Sequence, residues 1–170
     1  MRVKGSRSGI SKLAPFKLKG WTIPEGFSMV IDTREQKPLF TRIPPGLVIC
    51  SKKLEHGDYS IGGHEDGGFF AERKGISDFM SYVGKERERT VKKLNAIQHF
   101  KYKCLVIEAD ERDLLRPQDF SMMAPEAIRQ ALCSFNIRFG LQIYYSSKRE
   151  DVARWLLDRM LYYWKWVHIV

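Results

Sequence analysis

The sequence has little that would build a metal cage or a disulfide scaffold. Its three cysteines, Cys50, Cys104 and Cys133, lie far apart and form no CxxC pair. The four histidines show no zinc-ligand spacing with them. We therefore expect no zinc site and three reduced core thiols, which is typical of an intracellular protein of the cytoplasm or nucleus.

Long apolar runs are also missing. No segment has the length and hydrophobicity needed to cross a bilayer, and the first residues contain no signal-peptide core. The aromatic C-terminal segment WLLDRMLYYWKWVHIV is interrupted by Arg159 and Lys165. We therefore expect no membrane partner.

Acidic residues are absent from the first twenty positions, whereas six cations precede Trp21: Arg2, Lys4, Arg7, Lys12, Lys17 and Lys19. Interleaved glycine and serine favour a flexible basic arm over residues 1–20, followed by one domain over residues 21–170. The net charge of +9 favours a polyanionic partner such as nucleic acid. A tail that only adds solubility stays an alternative for the arm.

The hydrophobic pattern predicts strands first and then helices alternating with strands. Four short β-rich runs open the domain, at 28–32, 47–54, 57–61 and 68–74. The segment GGHEDGG between the last two favours a tight reversal, and so a hairpin. Helical and strand patterns then alternate, with helices at 76–83, 91–97 and 125–140, strands at 104–110 and 141–145, and a final helix. This order predicts the α/β class, as a sandwich around a mixed sheet.

Three helix ends carry sequence signals. Pro125 suits the first turn of a helix that Gly140 would close. Ser147 and Glu150 have the spacing of a capping box at the start of the last helix.

The segment FFAERKGISDF contains the candidate chemistry. In a strand, Glu72 and Lys74 share one face and Arg73 points to the other. A carboxylate beside an ammonium suits phosphodiester cleavage, because the acid can hold a divalent cation while the lysine orients water and neutralises the phosphate. A hard cation such as Mg²⁺ needs a second carboxylate, and the hairpin would bring Asp58 opposite Glu72.

Four ordered motifs surround this pair: VIDTRE, LEHGDY, AERKGISDF and VIEAD. Together they resemble the XPF-type structure-specific endonucleases of the PD-(D/E)xK nuclease superfamily, which carry a GD…ERKxxxD signature. The resemblance implies a restriction-endonuclease-like α/β/α sandwich with a central mixed sheet. It also implies Mg²⁺-dependent cutting of branched, flap or fork DNA, with Mn²⁺ as a possible substitute.

The resemblance also assigns roles to residues. Asp58 and Glu72 would be the metal ligands and Lys74 the catalytic lysine. Asp78 would follow at the start of the next helix and hold Arg73 or Lys74 in place. The strand ending in DTRE would line the site with Asp32, Arg34 and Glu35. We expect Glu35 and Glu108 to lie outside the ligand set.

The chain departs from the family pattern in the next helix. Family members have glutamine and arginine in a Q-x-x-R-L context, where this chain has Thr90 and Lys93. No tandem helix-hairpin-helix domain is recognisable, so affinity for DNA would come from the arm and from the basic helix. The DNA-binding candidates on that helix are Lys85, Arg87, Arg89, Lys92 and Lys93. A merely solvated helix face is the alternative.

Two other functions stay open at this point. One is a non-catalytic, nuclease-like DNA-binding subunit, which would be expected to lack the acids or the lysine. The other is a resolvase or a restriction-like nuclease of the same superfold. The surplus of aromatic residues near Trp164 and Trp166 further predicts a homodimer.

Overall fold

A computed structural model of the chain describes residues 22–169, and its centre is a six-stranded mixed sheet. The strands are β1 Ser28–Asp32, β2 Val48–Lys52, β3 Tyr59–Ile61, β4 Phe69–Gly75, β5 Tyr102–Glu108 and β6 Gln142–Tyr145. Their order across the sheet is β2-β1-β3-β4-β5-β6. The arm expected over residues 1–20 lies outside the described residues.

Helices cover both faces of the sheet. They are α1 Ile76–Val83, α2 Arg87–Ala96, α3 Glu111–Leu115, α4 Pro125–Phe139 and α5 Arg149–Ile169. Successive strand residues point to opposite faces, so Phe69 packs in the cluster under α5 while Phe70 packs in the cluster under α1, α2 and α4. Val106 and Leu105 divide between the clusters in the same way. The predicted α/β sandwich is confirmed.

The directions of the strands place the candidate catalytic side chains at one edge of the sheet. β1 and β4 are each antiparallel to β3, and β4 and β5 are parallel, so β1, β4 and β5 run the same way. Asp32, Lys74 and Glu108 therefore lie at or next to the carboxyl ends of their strands on a shared edge. Asp58 directly precedes the oppositely directed β3 and reaches the same edge. Strands β3 and β4 form the predicted hairpin, which places Asp58 beside the strand that carries Glu72.

The predicted signals at the two ends of α4 are confirmed. Pro125 occupies its first turn, and Gly140 ends it in the left-handed conformation with φ of 62°. The capping box before α5 is wrong: the Ser147 hydroxyl donates to Asp110 Oδ2 at 2.7 Å. Asp110 follows β5 at the same edge and competes successfully for that hydroxyl.

The cysteine prediction is partly wrong. All three thiols are free, but Cys104 alone is buried, while Cys50 and Cys133 are exposed. No helix within residues 22–169 is long and apolar enough to cross a membrane.

Candidate active site

A glycine allows Asp58 to approach β4. Gly57 has φ of +82°, and a Cβ at this position would lie 2.8 Å from the carbonyl oxygen of Ala71. The next amide, that of Asp58, donates to the same carbonyl at 2.8 Å. The backbone N–H of Arg73 in turn donates to Asp58 Oδ2 at 2.8 Å. These bonds fix the Asp58 carboxylate beside the strand that carries Glu72.

Glu72 is almost fully enclosed, with 2% of its side chain exposed. Lys74 Nζ lies 2.7 Å from its Oε1, which confirms that the two side chains share a face of β4. Lys93 Nζ donates to Oε1 at 2.8 Å and to Oε2 at 2.7 Å. Burial acts to raise the pKa of Glu72, but the charges of Lys93 and Lys74 outweigh it, so the pKa lies below its ordinary value.

The pKa of Asp58 shifts in the opposite direction to that of Glu72. Burial and then the charge of Glu72 raise its pKa to about 6, although the Arg73 amide and the two lysines act against this. Two carboxylates therefore repel each other at one edge of the sheet. A cation shared by both would relieve that repulsion.

Arg73 points to the other face, as predicted, and holds two further acids. Its Nε and Nη2 donate to the carboxylate of Glu35, both at 2.8 Å, and its Nη1 donates to Glu108 at 2.7 Å. Arg149, at the start of α5, also donates to Glu108 and reaches the Pro38 carbonyl at 2.8 Å. This network forms one wall of a cleft of about 500 Å³ that also includes Asp58 and Lys74.

Both carboxylate oxygens of Asp32 accept hydrogen bonds from the protein. Its carboxylate accepts from the backbone N–H and guanidinium of Arg34 and, at 2.6 Å, from the backbone N–H of Leu54. Burial acts to raise the pKa of Asp32, but these bonds outweigh it and lower the pKa to about 2. Asp32 therefore organises the loop after β1, while Arg34 reaches the cleft.

Asp78 lies exposed on the cleft wall. The expected contact with Arg73 or Lys74 is not formed, because Arg73 is taken by Glu35 and Glu108 and Lys74 by Glu72. Its charge still contributes to the raised pKa of Lys74.

Four of the five candidate cations are exposed: Lys85 in the turn before α2, and Arg87, Arg89 and Lys92 on the helix. Lys93 instead turns inward to Glu72. A cavity of about 200 Å³ lies beside this pair and is also lined by Tyr82 and Thr90. The buried Tyr82 hydroxyl has no hydrogen-bond partner among the described residues.

The residues fit a hard divalent cation. No group of three or more acid, histidine or cysteine side chains within residues 22–169 forms a complete cage. Mg²⁺ is commonly held by one or two carboxylates, with water and substrate phosphate supplying the remaining oxygens. Asp58 and Glu72 offer that pair.

Sequence reasoning missed Arg149 and the inward direction of Lys93. Arg149 is 41 residues from Glu108, and no local spacing connects them. Lys93 stands in a run of charged residues, where period alone did not separate it from its exposed neighbours.

The fold and the site define an α/β domain with paired carboxylates and a lysine at the carboxyl edge of its sheet. Residues 31–158 match the family model of the ERCC4 domain. The chain therefore belongs to the ERCC4 domain family. The predicted resemblance to XPF-type nucleases is thereby confirmed.

Solved structures show the same fold. XPF from Aeropyrum pernix in complex with DNA superposes with a TM-score of 0.59 at 16% identity, covering 79% of this chain and 62% of that chain. A second structure, XPF from Aeropyrum pernix, gives a TM-score of 0.58 at 16% identity, covering 78% and 64%. The chain thus corresponds to under two thirds of those proteins. No curated protein matched it.

Proposed function

We propose that the protein is a Mg²⁺-dependent endonuclease that hydrolyses phosphodiester bonds in branched, flap or fork DNA. The observation that carries this proposal is the meeting of Asp58, Glu72 and Lys74 at one edge of the sheet. Asp58 and Glu72 would hold the ion, which when bound would polarise the scissile phosphate and activate water.

Lys74 acts as a cation in this proposal. Burial acts to lower its pKa, but the charge and hydrogen bond of Glu72 raise it above the ordinary value for lysine. The ammonium therefore keeps its proton at neutral pH and is unsuited to be the general base. Its role would be to orient the attacking water and to balance charge that develops on the phosphate.

DNA is supported as the substrate by charge and by similarity. One of the similar structures is an XPF protein in complex with DNA. The exposed cations of α2 lie on the helix that also carries Lys93 into the site, so phosphates bound there would continue towards the carboxylates. The preference for branched DNA rests on the family relation.

Two alternatives predict different results. A non-catalytic subunit would bind DNA without cutting it, but the retention of Asp58, Glu72 and Lys74 favours activity. A resolvase or restriction-like nuclease would cut four-way junctions or linear duplexes in preference to flaps and forks.

The purified chain should be incubated with labelled flap, fork, splayed-arm, four-way and linear DNAs. We expect cleavage with Mg²⁺ or Mn²⁺, fastest on flap or fork substrates, and none in excess EDTA, because the site offers hard oxygen ligands. Undiminished cleavage in EDTA would exclude the mechanism. Binding without cleavage under every condition would favour the non-catalytic subunit.

We further propose a homodimer that forms through the second half of α5. Tyr162 and Trp166 are 65% and 52% exposed, beside a cleft of about 670 Å³ that Tyr102 and Arg159 also line. The expectation that Trp164 adds to this surface needs revision, because its ring stacks on His168 and meets Phe27 edge-on. Burial of the two exposed rings against a second copy would remove apolar area from water.

Tyr162→Glu combined with Trp166→Glu should give a folded monomer, because each new charge would have to be buried in the interface. Light scattering at tens of micromolar protein measures the change. Ile137→Glu, at an exposed apolar position on α4, is the matched control and should leave the dimer intact. A wild-type monomer at that concentration would refute the dimer.

A further inference from the structure

Two neighbouring lysines of α2 have different surroundings. Lys92 is exposed, whereas Lys93 is 34% exposed and places its ammonium on both oxygens of Glu72, at 2.8 and 2.7 Å. Lys74 already donates to Oε1 of the same carboxylate. Glu72 therefore carries two ammonium partners, although its charge is matched by one.

The backbone around Lys93 is held firmly in place. One turn earlier, the Thr90 hydroxyl donates to the Tyr82 carbonyl at 2.7 Å, which ties α2 to α1. The next residue, Leu94, is fully buried. These contacts fix the Cα position of Lys93, but the flexible four-carbon stem leaves its ammonium free to reach Glu72 or to turn towards the solvent side of the helix.

A divalent cation held by Glu72 would share that carboxylate with Lys93. Like charges at one carboxylate repel each other strongly where water is scarce, and Glu72 is almost fully enclosed. An ammonium that left Glu72 would find its best new partner in a DNA phosphate, because the exposed Arg89 and Lys92 mark the adjoining surface for anions.

We propose that Lys93 competes with the divalent cation for Glu72, and that bound DNA relieves the competition by taking Lys93 as a phosphate contact. Cation uptake is then coupled to DNA binding, and the coupling is reciprocal: the cation strengthens DNA binding by the same factor. This inference rests on the proposed metal-dependent nuclease function. Lys93 is a positioning residue in this scheme, and Lys74 remains on Glu72 throughout.

The test is the Mn²⁺ dissociation constant, measured by electron paramagnetic resonance on the full chain without DNA. We expect Lys93→Met to bind Mn²⁺ at least about fivefold more tightly than wild type, the lower end of typical coupling between linked ligands. Lys53→Met removes the same charge at an exposed position outside the candidate DNA-binding residues and should bind as wild type does. If Lys93→Met lowers the melting temperature, Lys93→Gln replaces it, since its amide donates without a charge.

A second arm adds a phosphorothioate fork DNA. Wild type should then bind Mn²⁺ at least about fivefold more tightly, whereas Lys93→Met should gain clearly less. Equal Mn²⁺ affinity for Lys93→Met and Lys53→Met would overturn the coupling while leaving the nuclease proposal intact. Failure of every protein to bind Mn²⁺, with or without DNA, would overturn the metal-dependent function and the coupling together.

Discussion

Asp58→Asn is expected to lose DNA cleavage by more than about a hundredfold, because changing even the outer partners of a bound metal costs 10–100-fold. The amide is close in size to the carboxylate and its oxygen can still accept the Arg73 N–H, so the hairpin should keep its geometry. What is lost is one of two negative charges that would hold the cation. In EDTA, where no cation is bound, DNA binding should change little, since no cationic contact is removed.

Asp66→Asn, in the exposed turn between β3 and β4, makes the same charge change and should cut at the wild-type rate. Cleavage rates with Mg²⁺ at saturating enzyme, and DNA affinity in EDTA by fluorescence anisotropy, separate chemistry from binding. Wild-type cleavage by Asp58→Asn would remove Asp58 from the mechanism. A parallel loss of DNA affinity would instead show that Asp58 anchors the substrate.

Arg73→Met should lower the free energy of unfolding by about 3–5 kcal/mol, the usual cost of removing one partner from a buried ion pair. The guanidinium binds Glu35 and Glu108, and the Glu35 side chain is only 3% exposed. Methionine fills much of the same volume but leaves the Glu35 carboxylate buried without its cation. Arg149 remains beside Glu108, so Glu35 bears most of the effect.

Arg116→Met is the control, because its pair with Asp113 at 3.3 Å is exposed. Such pairs contribute about 0–1 kcal/mol. Urea denaturation of both variants gives the comparison. A loss for Arg73→Met no larger than that for Arg116→Met would mean that the network is not structural, and would leave Arg73 to be explained by substrate contact.

Local patterns were sufficient for the central part of the site. Alternation along β4 put Glu72 and Lys74 on one face, and the glycines between β3 and β4 predicted the reversal that delivers Asp58. Both inferences depend on strand geometry over a few residues, which the sequence states directly. The fold class followed from the same periodicities.

Local patterns could not predict which charged side chains form ion pairs in the site. Arg73 bonds to acids 38 and 35 residues away, and Lys93 bonds to Glu72 across 21 residues. Periodicity states which way a side chain points but not which charge will meet it, since that depends on how helices and strands pack in three dimensions. The failed capping box has a similar cause, because Asp110 comes from a different element.

The length of α5 has a consequence for how many strands a dimer could cut. The helix has 21 residues, and so extends about 30 Å, from Arg149 in the cleft to the exposed Trp166 near its other end. Two copies joined at the far ends would keep their reactive edges tens of ångströms apart. Each subunit would then make its own incision. The length of α5 would set the distance between the two nicks.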